Sequence, residues 1–174
     1  MSKALRIGVV AAMVIVLGAA AMVASAATRF VVRTTLSGYM EVPAISTTAH
    51  GTFRAEITTG NKIKYRLRYS DVEGVSITQA HIHFGQKDVN GGVTVFLCSN
   101  LGNGPAGTPP CPAAGLVEGT LTRDDVVGGA AAQGIDAGEF GELRRAIRRG
   151  FAYVNIHSET YPGGEARGQL RVVD

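Results

Sequence analysis

The chain has 174 residues, with 17 Lys and Arg against 14 Asp and Glu, a formal net charge of +3, and 45% hydrophobic residues. Setting aside Lys3 and Arg6, which belong to an apolar leader, 15 basic residues face 14 acidic ones and the remainder sits near +1. That balance argues against nucleic acid as partner, because a backbone binder needs a surplus of basic side chains, and the length suits one domain rather than two.

The first predicted element is a secretory leader over residues 1–26. Lys3 and Arg6 precede an uncharged apolar run from Ile7 to Val23, and small residues follow at Ala24-Ser25-Ala26. A basic start, an apolar middle and small residues at the cut site are the features of an export signal, and the run is short for a bilayer span. Cleavage after Ala26 leaves 27–174 as the mature domain, secreted or periplasmic, with no stable membrane span. An uncleaved anchor helix is the competing reading.

Beyond the leader, short alternating segments are punctuated by glycine, a pattern that favours strands. Strands are predicted at Phe30 to Leu36 and at Gly51 to Ile57, where Phe53, Ala55 and Ile57 share one face. In Lys62 to Tyr69 four charged residues alternate with four apolar ones. The pair reads as an antiparallel hairpin turning at Gly60-Asn61. Further strands are expected at Thr78 to Phe84, Val93 to Leu97, Leu116 to Leu121, Phe151 to His157 and Glu165 to Val172.

Two short helical pieces interrupt them. Thr122 to Asp125 pairs an N-cap with acidic first-turn residues, and Glu139 to Arg149 sets Phe140, Leu143 and Ile147 at helical spacing. The basic cluster Arg144, Arg145, Arg148 and Arg149 is read as a solvated face near a helix C-terminus, with an anion site as the rival. The Gly- and Pro-rich segment 100–112 and the Ala- and Gly-rich segment 128–138 are loops. About eight strands with one or two short helices indicate an all-β, single-domain antiparallel β-sandwich or Greek-key barrel.

Two cysteines, Cys98 and Cys111, flank the Pro-rich loop. In an exported chain an even count points to a disulfide, worth about 3 kcal/mol by loop closure, with a metal-thiolate pair as the alternative.

The chemistry-bearing residues are histidines. In Ala80-His81-Ile82-His83-Phe84 the period of two sends Ala80, Ile82 and Phe84 to the core and both imidazoles to the other face. In Tyr153-Val154-Asn155-Ile156-His157 the residues Val154 and Ile156 take the core, and Tyr153, Asn155 and His157 face away from it. Were the two strands neighbours, His81, His83 and His157 would form a three-imidazole set suited to Cu(II) or Zn(II). Asn155, Glu159 and Glu165 are the nearby residues that could bond the outer ring nitrogens. The bland reading is that these histidines hydrogen-bond backbone carbonyls and hold strands together. His50 has no spacing that recommends it as a ligand. Glu165 and Arg167 stand two apart, on one face of a strand, where they could pair with each other or with neighbours. No serine sits in a nucleophile elbow, and Asn90-Gly91-Gly92 is a turn between strands rather than a phosphate loop.

Several of these segments resemble the CHRD (chordin-type) domain. They are Leu36 to Pro43, Ala80 to Gly85, Gly115 to Leu121, Ala152 to Ser158 and Pro162 to Leu170, in order along about residues 30–172. The resemblance implies an extracellular β-sandwich serving as a binding or structural module, with an unidentified protein or the cell envelope as partner. A more local similarity links His81, His83 and His157 to three copper ligands of Cu/Zn superoxide dismutases, with Arg167 in the place of the anion-guiding arginine. It implies a copper- or zinc-binding protein with dismutase-like redox activity as the alternative. The bridging histidine and the dense His/Asp zinc loop of that family have no counterpart in this sequence.

Overall fold

A computed structural model describes residues 29–74 and 76–173; the expected leader over 1–26 lies outside them. Nine strands alternate with short turns and one helix: β1 (Phe30–Ser37), β2 (His50–Ile57), β3 (Ile63–Ser70), β4 (Ile77–Phe84), β5 (Gly92–Ser99), β6 (Gly115–Leu121), α1 (Phe140–Arg148), β7 (Ala152–Ser158), β8 (Ala166–Gln169) and β9 (Arg171–Val173). Every strand pairing is antiparallel, and the spatial order is β5-β4-β7-β8-β1-β2-β3-β6, with β9 also on β1. The sheet curls until its edge strands β5 and β6 approach each other, so its two halves face one another across a single core as a nearly closed barrel. The all-β expectation therefore holds. Among the described residues no helix is long and apolar enough to cross a membrane.

Alternation builds the β2–β3 hairpin as the sequence predicts. Phe53, Ala55 and Ile57 pair with Leu67, Tyr65 and Ile63 across the ladder and all six are buried. Asn61 takes the left-handed conformation at φ 53°, and the Thr58 amide donates to the Lys62 carbonyl at 2.9 Å, closing the turn. The Tyr65 hydroxyl crosses the core to donate to the Leu97 carbonyl at 2.6 Å, fastening β3 to β5 where no ladder joins them.

Two local departures matter. The segment predicted as one strand from Glu165 to Val172 is two, because Leu170 turns into the core and its amide bonds the Ala152 carbonyl at 2.9 Å. In β4 both Ile77 and Ala80 are core residues, a parity change made by a bulge between Ile77 and Gln79 against β7. Further irregularities in the β4–β5 ladder leave Thr94 buried, its hydroxyl donating to the Ile82 carbonyl at 2.8 Å.

The helical expectations hold in shortened form. Thr122 donates from its amide (2.7 Å) and hydroxyl (3.0 Å) to Asp125 at the start of a single 3-10 turn, Arg123–Asp125. Helix α1 buries Phe140, Leu143, Ala146 and Ile147. Its basic side chains are engaged locally: Arg145 pairs with Glu142 at 2.8 Å, and the guanidinium groups of Arg144 and Arg148 lie 5.5 and 5.3 Å from the Phe30 ring centre.

Cys98 and Cys111 are disulfide-bonded across 13 positions. Asn100 braces the loop from inside, its amide nitrogen donating to the Ile77 and Cys111 carbonyls at 2.8 Å each. The Cys98→Ala, Cys111→Ala double variant is expected to lose about 3 kcal/mol of unfolding free energy in urea titration, since the unfolded chain regains the freedom of that loop.

Candidate metal centre

Strands β4 and β7 are direct neighbours, although some 70 residues of chain separate them. His81 stands opposite Asn155, His83 opposite Tyr153 and His157 opposite Gln79, so all three imidazoles project from the same side of the sheet. Strand β8 extends this side by placing Arg167 opposite Asn155 and Gln169 opposite Tyr153. The reverse side carries Ala80, Ile82, Val154 and Ile156 in the hydrophobic core.

The histidine side is not a wet outer surface. His81, His83 and His157 are only 2%, 8% and 7% exposed. Two strand rings and three covering segments account for this, and the segments have no periodicity that a sequence would show. The Phe96 ring meets His81 edge-on with centres 4.4 Å apart, and Tyr153 stacks on His83 at 4.7 Å. The turn 86–91 lies over His83, and Glu41, from the segment after β1, reaches in to accept from the Asn155 amide nitrogen at 2.7 Å. The loop after β7 passes over His157. At Gly164 in that loop φ is +131°, and a Cβ would lie 2.5 Å from Asn155 Nδ2 and 2.9 Å from Glu41 Oε1, so only glycine fits.

Hydrogen bonds fix the ring orientations. His83 Nδ1 bonds the Gly91 carbonyl and His157 Nδ1 the Pro162 carbonyl, each at 2.9 Å, so these nitrogens carry the protons and both Nε2 atoms present lone pairs. His81 Nδ1 lies 3.3 Å from His157 Nε2. The Nε2 atoms of His81 and His83 are buried without a hydrogen-bond partner. One nitrogen from each ring can be chosen so that all three lie within 4.8 Å of one another.

Burial is also the main electrostatic influence. It pushes His81 down to about 2 and His83 down to about 4, and it lowers His157; neighbouring imidazoles add to the effect on His81. The three rings are therefore neutral, the state in which imidazole coordinates metal. Burial pushes Glu41 up to about 7, partly opposed by the charge of Arg167.

The other sequence-predicted residues are distributed as follows. The Asn155 amide nitrogen serves Glu41 rather than a histidine. Glu165 is fully buried, but its carboxylate accepts from the Thr47 hydroxyl and the Glu73 amide, both at 2.7 Å. Glu159 is exposed and accepts from Ser76 at 2.9 Å. The outer ring nitrogens are served by the carbonyls of Gly91 and Pro162, which carry no side-chain signal. Arg167 does not pair with Glu165. Its guanidinium lies 3.4 Å from the Tyr153 ring centre and donates to Asn90 Oδ1 (3.1 Å) and to the Gln86 (3.2 Å) and Val89 (2.8 Å) carbonyls. His50 is exposed elsewhere, beside Asp71 at 3.5 Å.

The family model of the CHRD domain matches residues 32–170, from the third residue of β1 to the turn after β8. No curated protein matches the sequence. The matched range contains all three histidines, Arg167 and both cysteines.

Proposed function

The chain belongs to the CHRD-domain family, and from that membership we propose that it is an exported module holding one Cu(II) or Zn(II) ion on His81, His83 and His157. In this reading residues 1–26 are the leader, removed on export, and 27–174 work in the periplasm or outside the cell. The Cys98–Cys111 disulfide fits an oxidising compartment. The partner is a cell-envelope component or another protein.

The observation that carries the metal reading is the buried, unpartnered Nε2 of His83 beside His81 Nδ1 and His157 Nε2, which lie 3.3 Å apart, with the His157 ring already oriented by Pro162. Buried polar atoms are rarely left unsatisfied, and an ion would accept the His83 lone pair together with those of His81 Nδ1 and His157 Nε2. The donor set also fits the group. Ligands of a tetrahedral ion with bonds of about 2.0 to 2.1 Å stand about 3.3 Å apart, the separation of His81 Nδ1 and His157 Nε2. Bringing in His83 needs a contraction of the 4.8 Å span. Carbonyl bonds on Nδ1 of His83 and His157 preset the tautomers, and imidazole donors favour copper or zinc over magnesium or calcium.

The near-complete burial of the three rings favours an ion held to brace β4 against β7 over one that turns over substrate, since a catalytic ion keeps an open and reachable position. The test is metal analysis of the purified protein after equilibration with Cu(II) or Zn(II) and removal of the excess. One equivalent per chain is expected for the wild type, with loss in both His81→Ala and His157→Ala, whose folding is checked by circular dichroism. A folded wild type that retains no metal near neutral pH removes the proposal. In the metal-loaded protein a superoxide assay then separates a holding site, which is inactive, from the dismutase-like alternative.

A further inference from the structure

The outward face of β9, β1, β2 and β3 carries a row of like charges fixed by strand register. Arg171 stands opposite Arg33, Arg33 opposite Arg54, and Arg54 opposite Arg66. The row ends where Arg66 pairs with Glu118 on β6. With neighbouring strands about 4.8 Å apart, four guanidinium groups are lined up across the sheet at one-strand intervals. Arg68 stands on the same face two residues along β3, opposite Thr52, which is opposite Thr35.

Like charges directly opposite one another destabilise a sheet, and among the described residues the one ion pair the row makes is that of Arg66 with Glu118. Among the described residues the side chains of Arg33, Arg54, Arg68 and Arg171 make no ion pair or hydrogen bond, whereas that of Arg29, just before β1, is paired with Glu56 at 2.9 Å. The row borders a groove of about 950 Å³ to which Lys87 and Arg167 also contribute, and Asp88 is its one acidic lining residue. A chain whose charges otherwise nearly balance has concentrated an excess of cations at one place.

We propose that this groove binds an acidic polysaccharide, a linear chain presenting carboxylate or sulfate groups to successive arginines, with Thr35 and Thr52 facing its hydroxyls. Planar guanidinium groups match such oxyanions two bonds at a time, which lysine cannot do. The chemistry does not favour nucleic acid. Single strands are gripped by bases stacked on exposed aromatic rings, and among the described residues the one aromatic along the groove, Phe53, is 1% exposed on the core side. The site is independent of the three histidines.

The test measures binding of heparin, as the sulfated probe, and polygalacturonate, as the carboxylated probe, to the full protein by calorimetry over a range of salt. A single-stranded oligothymidylate serves as comparison. At least one polysaccharide is expected to bind at low ionic strength, with affinity falling as salt rises. The double variant Arg33→Gln, Arg54→Gln is expected to weaken it about tenfold or more without lowering the thermal midpoint, since it relieves like-charge repulsion. Arg145→Gln on α1, away from the groove, should bind as the wild type does. Binding of the sulfated probe alone or of the carboxylated probe alone identifies which oxyanion the row prefers and supports the proposal either way. The proposal is overturned if neither polysaccharide binds, if the double variant binds as tightly as the wild type, or if the oligothymidylate binds at least as well as both.

Discussion

Replacing Arg167 by Leu is expected to lower the unfolding free energy by about 3 to 5 kcal/mol, the range for removing one member of a buried charged network. Arg167 is 2% exposed, and its hydrogen bonds all run to the turn 86–90 that covers His83. Leucine can occupy the space over Tyr153 but donates nothing, so the Val89 carbonyl loses the Arg167 donor, the Gln86 carbonyl is left with the Val89 amide at 3.3 Å, and Glu41 loses its compensating charge. Arg167→Lys is expected to recover only part of the loss, because an ammonium cannot lie flat on Tyr153 and reach three acceptors at once. Urea unfolding of the two variants measures both effects, and a Leu variant within about 1 kcal/mol of wild type would contradict this account.

The same variant separates two roles. The turn that Arg167 holds contains Gly91, whose carbonyl orients His83. Loosening the turn should weaken metal retention at His83 although Arg167 touches none of the three imidazoles through a hydrogen bond. An arginine that merely guided anions toward the site would leave metal content and stability unchanged on replacement.

The parts of this architecture that were legible in the sequence are those that local alternation dictates. The β2–β3 hairpin follows from strict alternation and one turn with a left-handed residue, and the same period of two places His81, His83 and His157 on the side away from the core. Adjacency was not legible. β4 meets β7 only because β5 takes the other edge of β4 while β6 and α1 fold elsewhere, and nothing within either segment records that pairing. Nor was burial of the histidine side, since its cover comes from Glu41, the turn 86–91 and the loop through Gly164, segments without period. Glu159 and Glu165 were reasonable acceptors by proximity in sequence, yet backbone carbonyls of Gly91 and Pro162 hold the rings instead. The arginine row shows the same division. Arg54, Arg66 and Arg68 are visibly outward-facing by alternation, but their alignment with Arg33 and Arg171 exists only in the register.

Burial of the imidazoles makes the metal-free protein acid-sensitive in a defined direction. In the unfolded chain each histidine takes up a proton near its ordinary value of about 6.5, while in the folded chain His81 and His83 are held down to about 2 and about 4. Below about pH 6.5 the unfolded state therefore binds protons that the folded state refuses, and stability falls as pH falls until the folded values are reached. At about 1.4 kcal/mol per pH unit, His81 and His83 each account for about 2 kcal/mol of loss between about pH 7 and about pH 5, and His157 acts in the same direction. Glu41 opposes them. Its carboxyl is held up to about 7, so its contribution is fully present below about 4.5 and is lost as pH rises through 7. Urea titrations of metal-free protein at the two pH values should show a net loss of a few kcal/mol on acidification. Glu41→Gln should steepen that loss by removing the opposing group, and His83→Gln should make it shallower by about 2 kcal/mol. A stability that stays level across this range would mean that the three rings are not held neutral in the folded protein, and the argument that they stand ready to coordinate an ion would fall with it.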